Sequence, residues 1–465
     1  MRATAVLVTL VAAMGCSAAA SHPNTSTTSA KTSIASPPAG ASAAARAFPD
    51  WITYHGDLLR SGVSATMPAA SGNPVLAKSI KLDGAVYASP IVANTNTIVA
   101  TENNTVYSFN SANTQMWKTH VGTPSPASER PCGDIDPLGI TGTPIYSRAN
   151  STVYLVAEIH RTTGPVHQLV ALDAATGAVK FRVSVDLPGV TTAAMQQRGA
   201  LTIVGGKVWV PFGGLAGDCS NYKGRVVGVN LDGTGSPIAY TVPTTREAGI
   251  WTPPGPTVYQ LHLYVAVGNG ESGVGDPYDF SDSVLELNTR AQLVDSFSPS
   301  TWPADNDADL DLGSQGPAIV DGKWVYADGK SGTAYVLALG HLGGIGGQVS
   351  SATVCKSFGG TAVSGSTVYV PCTDGVRAVT IDSTGHMTVP WHVSQSSIVG
   401  SPVVGGGRVW SLDPGAGVLY GLDPATGTAV EHITVGQTSR FATPALSGNR
   451  VLIGTLTGLV VVTTS

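Results

Sequence analysis

Ser401-Pro402-Val403-Val404-Gly405-Gly406-Gly407-Arg408-Val409-Trp410-Ser411-Leu412-Asp413, followed downstream by Asp423-Pro424-Ala425-Thr426-Gly427, is one copy of a unit that runs through the chain. It reads as a small residue and Pro, an apolar strand, a short turn, a β-branched and aromatic strand, a polar loop, and a third strand. An Asp-x-x-Thr-Gly turn then hands over to a fourth strand. Equivalent starts fall at Ser89-Pro90, Thr143-Pro144, Thr252-Pro253, Gly316-Pro317 and Thr443-Pro444, with degenerate starts near Ala200 and Ala362, making eight. The second strands are the clearest element, as in Val153-Tyr154-Leu155-Val156, Val208-Trp209-Val210 and Val368-Tyr369-Val370. No stretch carries a sustained 3.6-residue apolar period.

Eight such units predict an all-β chain, an eight-bladed β-propeller of four-stranded antiparallel blades. The 415 residues from Trp51 to Ser465 give about 52 per repeat, enough for four short strands and some long loops. Radial closure protects sheet edges, and the strand near Val75–Leu82 is expected to complete the last blade beside Leu459–Val462. The composition agrees. Gly (56) and Pro (30) are abundant, while 25 basic and 30 acidic residues are too few for a helical bundle or coiled coil. At 42% hydrophobic the chain is not disordered, and a net charge of -5 removes the usual electrostatic basis for nucleic-acid binding.

The N-terminus carries a different pattern. Arg2, an apolar run from Ala3 to Met14 and small residues to Ala20 make a secretory signal, too short to span a bilayer. Ala13-Met14-Gly15-Cys16 resembles a bacterial lipobox, so residues 1–15 are expected to be removed and Cys16 to carry lipid, with cleavage after Ala20 and plain secretion as the alternative. Of the 32 residues from Ser17 to Phe48, 25 are Ser, Thr, Ala or Pro. Residues 16–48 therefore read as a tether, and 49–465 as the propeller. The expected location is the outer face of the cell membrane or the periplasm, with membrane contact only through the lipid.

Blade geometry orients the chemistry. In an antiparallel meander, the loop between the second and third strands and the connection to the next blade share one face. Cys132, Cys219, Cys355 and Cys372 all fall in these loops, which pairs Cys132 with Cys219 and Cys355 with Cys372 in an oxidising compartment. Seven carboxylates fall in the second-to-third-strand loops, Glu102, Glu158, Asp218, Glu271, Asp328, Asp374 and Asp413, predicting an acidic mouth or merely charged surface loops. Ahead of the fifth blade, Asp305-Asn306-Asp307-Ala308-Asp309-Leu310-Asp311 lacks the Gly and Glu of an EF-hand. If extended, it would set four carboxylates on one face, to be neutralised by a cation or by Lys330.

The repeats resemble the pyrroloquinoline-quinone (PQQ) repeat of quinoprotein dehydrogenase-like propellers, over nearly all of Trp51–Ser465 and including the opening Trp51…Gly56-Asp57…Arg60. The resemblance implies a PQQ floor at Trp251, a calcium ligand at Asn269 in Gly268-Asn269-Gly270, a catalytic Asp at Asp309 or Asp311, and a quinone contact at Lys330. Asp218 is the nearest counterpart of the family's Glu calcium ligand. Calcium would polarise the quinone while an Asp takes the alcohol proton. The family's adjacent Cys-Cys pair is absent, Glu102-Asn103-Asn104 standing in the comparable loop, and no haem-attachment motif occurs.

Other chemistry is excluded. Gly329-Lys330-Ser331 lacks the leading Gly of a phosphate loop, no Gly-x-Ser-x-Gly or His-Glu-x-x-His occurs, and ten scattered histidines have no ligand spacing. The expected function is a monomeric, exported, lipid-anchored module that binds a small molecule or an envelope protein. The alternatives are a PQQ- and calcium-dependent alcohol or polyol dehydrogenase and an envelope protein-assembly factor.

Overall fold

Every repeat start opens one blade. In the computed structural model, which describes residues 50–70, 72–395 and 399–464, eight four-stranded antiparallel sheets follow one another. The leader over 1–15, Cys16 and the tether over 16–48 lie outside the described residues. The first blade is Ile91–Ala93, Asn96–Ala100, Thr105–Phe109 and Gln115–His120, and the seventh is Val403–Gly405, Arg408–Asp413, Val418–Leu422 and Ala429–Thr434. The degenerate third and sixth repeats open with Thr202–Val204 and Ala362–Ser364. No helix among the described residues is long and apolar enough to cross a membrane.

The inner strands are apolar on both faces because each blade is packed between two others. All eight residues of Thr152–Ile159 are buried, whereas the outer strand Gln115–His120 buries only Trp117. The core is correspondingly divided between adjacent blades. Ile91 and Val106 of the first meet Val153 and Leu155 of the second. Tyr369 and Trp391 of the sixth meet Val409 and Leu422 of the seventh. Burying both faces of a sheet in this way supplies the apolar area that a single blade cannot.

The Asp-x-x-Thr-Gly turns clasp neighbouring blades. Asp423 Oδ1 accepts the backbone N–H of Ala425 and Thr426 (both 2.9 Å), which holds the turn. The Trp391 indole of the preceding blade donates to Pro424 O at 3.0 Å. Gly427 has φ 74°, and a Cβ there would stand 2.5 Å from the Trp391 ring, so both backbone and packing demand Gly. Trp117 and the turn at Asp173 repeat the arrangement, the indole donating to Ala174 O at 3.2 Å.

Closure joins the chain's two ends. Val75–Lys81 pairs antiparallel with Gly458–Thr463, Leu76 opposite Val462 and Ile80 opposite Leu459, completing the eighth blade. The segment before it plugs the axis. Trp51 bridges Val92 of the first blade, and the N–H groups of Tyr146, Val258, Val363 and Val404 donate to Ile52, Leu58, Ser61 and Gly62 carbonyls. Arg60, buried, donates to Thr53 Oγ1 (3.0 Å) and Leu201 O (2.9 Å), and buried His55 meets Thr443 Oγ1 at 3.1 Å. The opening Trp51…Arg60 motif is thus a tie among blades.

Candidate functional site

One cavity of about 400 Å³ opens at the axial mouth. Its walls come from the two loop types that blade geometry puts on one face. The second-to-third-strand loops supply Asp218, Asn269 and Lys330, and the connections between blades supply Arg198, Trp251, Asp309, Asp311, Phe358 and Phe441. All six residues singled out for the cofactor, metal and proton roles therefore line the same space. In the loops of this face, one disulfide joins Cys132 to Cys219 (Cα–Cα 6.2 Å), and a second, buried, joins Cys355 to Cys372 (5.7 Å).

The acidic wall is bridged by a lysine. Lys330 Nζ lies 2.6 Å from Asp309 Oδ1 and 2.7 Å from Asp311 Oδ2. Asp311 is buried, and its other oxygen accepts the Asn269 N–H. Burial raises the Asp311 carboxyl above its ordinary range, against the pull of Lys330. Gly268 makes this packing feasible, since a Cβ there would sit 2.6 Å from Asp311 Oδ1 and 3.2 Å from the Trp251 indole nitrogen. Asp218 Oδ1 accepts the Tyr222 hydroxyl at 2.5 Å.

Two expectations are corrected. The stretch from Asp305 to Asp311 is not extended: Trp302–Asp307 is a short helix and Asp309 has φ 53°. Asp305 is turned inward to the Thr301 hydroxyl (2.6 Å), Asp307 is exposed, and only Asp309 and Asp311 converge on Lys330. Nor is the mouth ringed with seven exposed charges. Glu102, Glu158, Asp328 and Asp413 are buried. Glu102 accepts from Gly139 N (2.8 Å) and Thr141 Oγ1 (3.1 Å), Asp328 from Gly329 N (2.7 Å) and Tyr326 OH (3.0 Å), and Asp413 from Ala416 N (3.0 Å). Glu158 faces the His167 imidazole at 3.4 Å. These carboxylates pin loops, because orphaned backbone donors are costly to bury.

Their burial carries a pH signature. Desolvation pushes Glu102 up to about 7 and Asp328 up to about 8, and it pulls His55 down to about 3. The acids' raised values give stability that is full below their unfolded pKa and lost as pH rises through 7 to 8. The depressed His55 gives stability present above about 6.5 and lost as pH falls toward 3. Melting temperature is therefore expected to fall on both sides of mildly acidic pH. Asp328→Asn should flatten the alkaline arm and leave the acid arm in place, as read by thermal melts from pH 4 to 9. An alkaline arm identical to the parent's would refute the assignment to Asp328.

Sequence reasoning missed the opposite wall. Arg198 lies over the Phe441 ring (4.6 Å to the centroid), and Arg440 lies over Phe441 (5.2 Å) and Phe358 (5.6 Å). Phe358 and Phe441 stack at 5.9 Å, and Phe441 stands 6.0 Å from Trp251, tilted by 51°. These residues sit in the last few positions before a repeat start, the same stretch that supplies Trp251. That register was the available signal.

No protein-family model matches the chain, and no curated protein matches it. Solved structures do. The quinohemoprotein alcohol dehydrogenase from Comamonas testosteroni aligns with TM-score 0.68 and 16% identity, over 89% of this chain and 80% of that one. BamB from Moraxella catarrhalis aligns with TM-score 0.59 and 20% identity, over 84% and 100%. The computationally designed Ika8 protein aligns with TM-score 0.55 and 12% identity, over 85% and 100%. At these identities the likeness is one of fold.

Proposed function

We propose that the chain is an exported binding module, held at the membrane through a lipid on Cys16 and the tether over 16–48, whose ligand enters the axial mouth. The observation that carries this reading is the axial cavity, of a size suited to a small molecule, into which Trp251, Asn269 and the loops of most blades converge. The two disulfides fit an oxidising compartment.

The residues do not make a calcium site. Among the described residues no three His, Cys, Asp or Glu side chains converge to hold a metal. The Lys330 ammonium takes the place a cation would hold between Asp309 and Asp311. Asp309 and Asp311 are both engaged by Lys330, so they serve the architecture of the wall in this reading, and no dehydrogenase step is drawn through them.

The purified protein is expected to retain no quinone absorbance after incubation with PQQ and calcium and to reduce no dye with alcohols. A metabolite panel screened by thermal shift should yield ligands whose stabilisation disappears in Trp251→Ala. Retained quinone with alcohol-dependent dye reduction would establish the dehydrogenase instead. Mass spectrometry of the mature N-terminus checks the anchor: an acylated Cys16 is expected, and a free terminus beyond Ala20 would refute it.

A further inference from the structure

The basic wall of the mouth holds two arginines that no carboxylate engages in an ion pair among the described residues. Other arginines of the protein are committed. Arg60 binds Thr53 and Leu201, Arg225 binds the Leu187 and Pro188 carbonyls, Arg377 pairs with Asp374, and Arg408 pairs with Glu431. Arg198 and Arg440 make neither hydrogen bond nor ion pair among the described residues, although Arg198 is half-buried. Both instead lie over the Phe441 ring within cation–π distance, which restrains their side chains at the mouth. Two buried polar side chains share the cavity with them. Thr438 has a hydroxyl with no partner, and the Gln196 side chain, only 6% exposed, borders the cavity beside it.

The nearest acids do not satisfy this wall. Asp134 lies at the exposed rim and Glu102 is buried, and both favour the Arg198 charge without forming an ion pair with it; one Glu102 oxygen accepts from Gly139 and Thr141, and the other is buried without a partner. Arg440 stands exposed at the edge of the mouth, whereas burial pulls the Arg198 guanidinium below its ordinary range, a cost that an arriving anion offsets.

Resting on the reading of the mouth as a binding site, we propose that Arg198 and Arg440, stacked on Phe441, clamp the oxyanion of a ligand, a carboxylate or a phosphate, whose flat apolar body lies against Phe358 and Trp251. Paired donors on guanidinium match two oxygens of either group, and donors from Gln196 and Thr438 complete the cradle. Across the mouth, Lys330 is already shared between Asp309 and Asp311, which leaves the anion to the arginines.

The test uses three probes of one shape: 2-naphthoate, 2-naphthyl phosphate and the uncharged 2-naphthalenemethanol. Binding is followed by calorimetry and by quenching of Trp fluorescence. At least one anion is expected to bind tenfold or more tightly than the alcohol, with affinity that falls as salt rises. Which anion binds better tells a carboxylate ligand from a phosphate one. Arg198→Gln and the rim variant Arg440→Gln should each lose most of the preference for the anion while melting like the parent. Equal binding of all three probes, lost together in Trp251→Ala, would overturn the clamp and leave the mouth as a binding site. Failure of every probe to bind would overturn the clamp, and the metabolite screen separately decides the mouth.

Discussion

A chain that begins at residue 83 is expected to lose its cooperative thermal transition, while one that begins at residue 50 keeps it. The shorter chain lacks Val75–Lys81, which leaves the Gly458–Thr463 strand without its outer partner. That strand is buried along nearly its whole length, so the truncation would expose an apolar edge ready to pair with another molecule. The shorter chain also loses the plug. Trp51, Ile52, Leu58, Ser61 and Gly62 hold backbone groups of five inner strands, Arg60 holds Leu201 and His55 holds Thr443. These ties cross the axis and reach the first to fourth and sixth to eighth blades. A domain's total stability is on the order of 5–15 kcal/mol, so losing a strand and every axial tie together exceeds what the ring can spare. Circular dichroism melts and size-exclusion profiles of the two chains make the comparison. An unchanged midpoint for the shorter chain would show that the ring closes without its first strand.

The architecture was legible because a repeat reports its own period. Thr143-Pro144 or Ser401-Pro402 need be recognised only once for the others to be found, and the leftover apolar stretch at Val75 had one place to go in a ring with eight starts. The degenerate third and sixth starts cost nothing, since Val208-Trp209-Val210 and Val368-Tyr369-Val370 still mark their blades. Loop topology likewise placed all four described cysteines and the six singled-out mouth residues on one face without any contact being known.

What the sequence hid was burial. Glu102 and Asp328 look the same in a polar loop whether they face water or cap a backbone donor, and only the packing of the neighbouring blade decides which. The Asp305–Asp311 run invited a period-two reading because Trp302-Pro303 gives a weak helix signal, and six residues are too few for a periodic pattern to show. Arg198, Phe358, Arg440 and Phe441 come from three distant repeats, and no local motif says that they will stack. The same register before the repeat starts had already yielded Trp251, and applying it to every repeat would have collected them.

Lys330→Met is expected to destabilise the protein by roughly 3 kcal/mol at neutral pH, because it strips the counter-ion from a buried carboxylate and leaves Asp311 with the Asn269 N–H alone. Asp282 sharpens the effect. It is buried, its Oδ1 accepts the Leu312 N–H at 2.9 Å, and Asp311 raises its carboxyl further, so the ammonium restrains repulsion within an acidic group. The pH dependence follows from the sign of the shift. Without Lys330 the folded-state pKa of Asp311 rises further above its unfolded value, so the deficit should be small near pH 4 and grow as pH rises through neutrality. The double variant Lys330→Met/Asp311→Asn should recover most of the loss, since the asparagine keeps an oxygen for the Asn269 N–H and carries no charge. Calcium chloride distinguishes the two readings of this wall. If the lysine is its resident cation, millimolar calcium leaves the parent's melting temperature unchanged. A rise in the parent would mean that the carboxylates are free to coordinate, and the reading of Asp309 and Asp311 as calcium-side residues would then replace the ion pair.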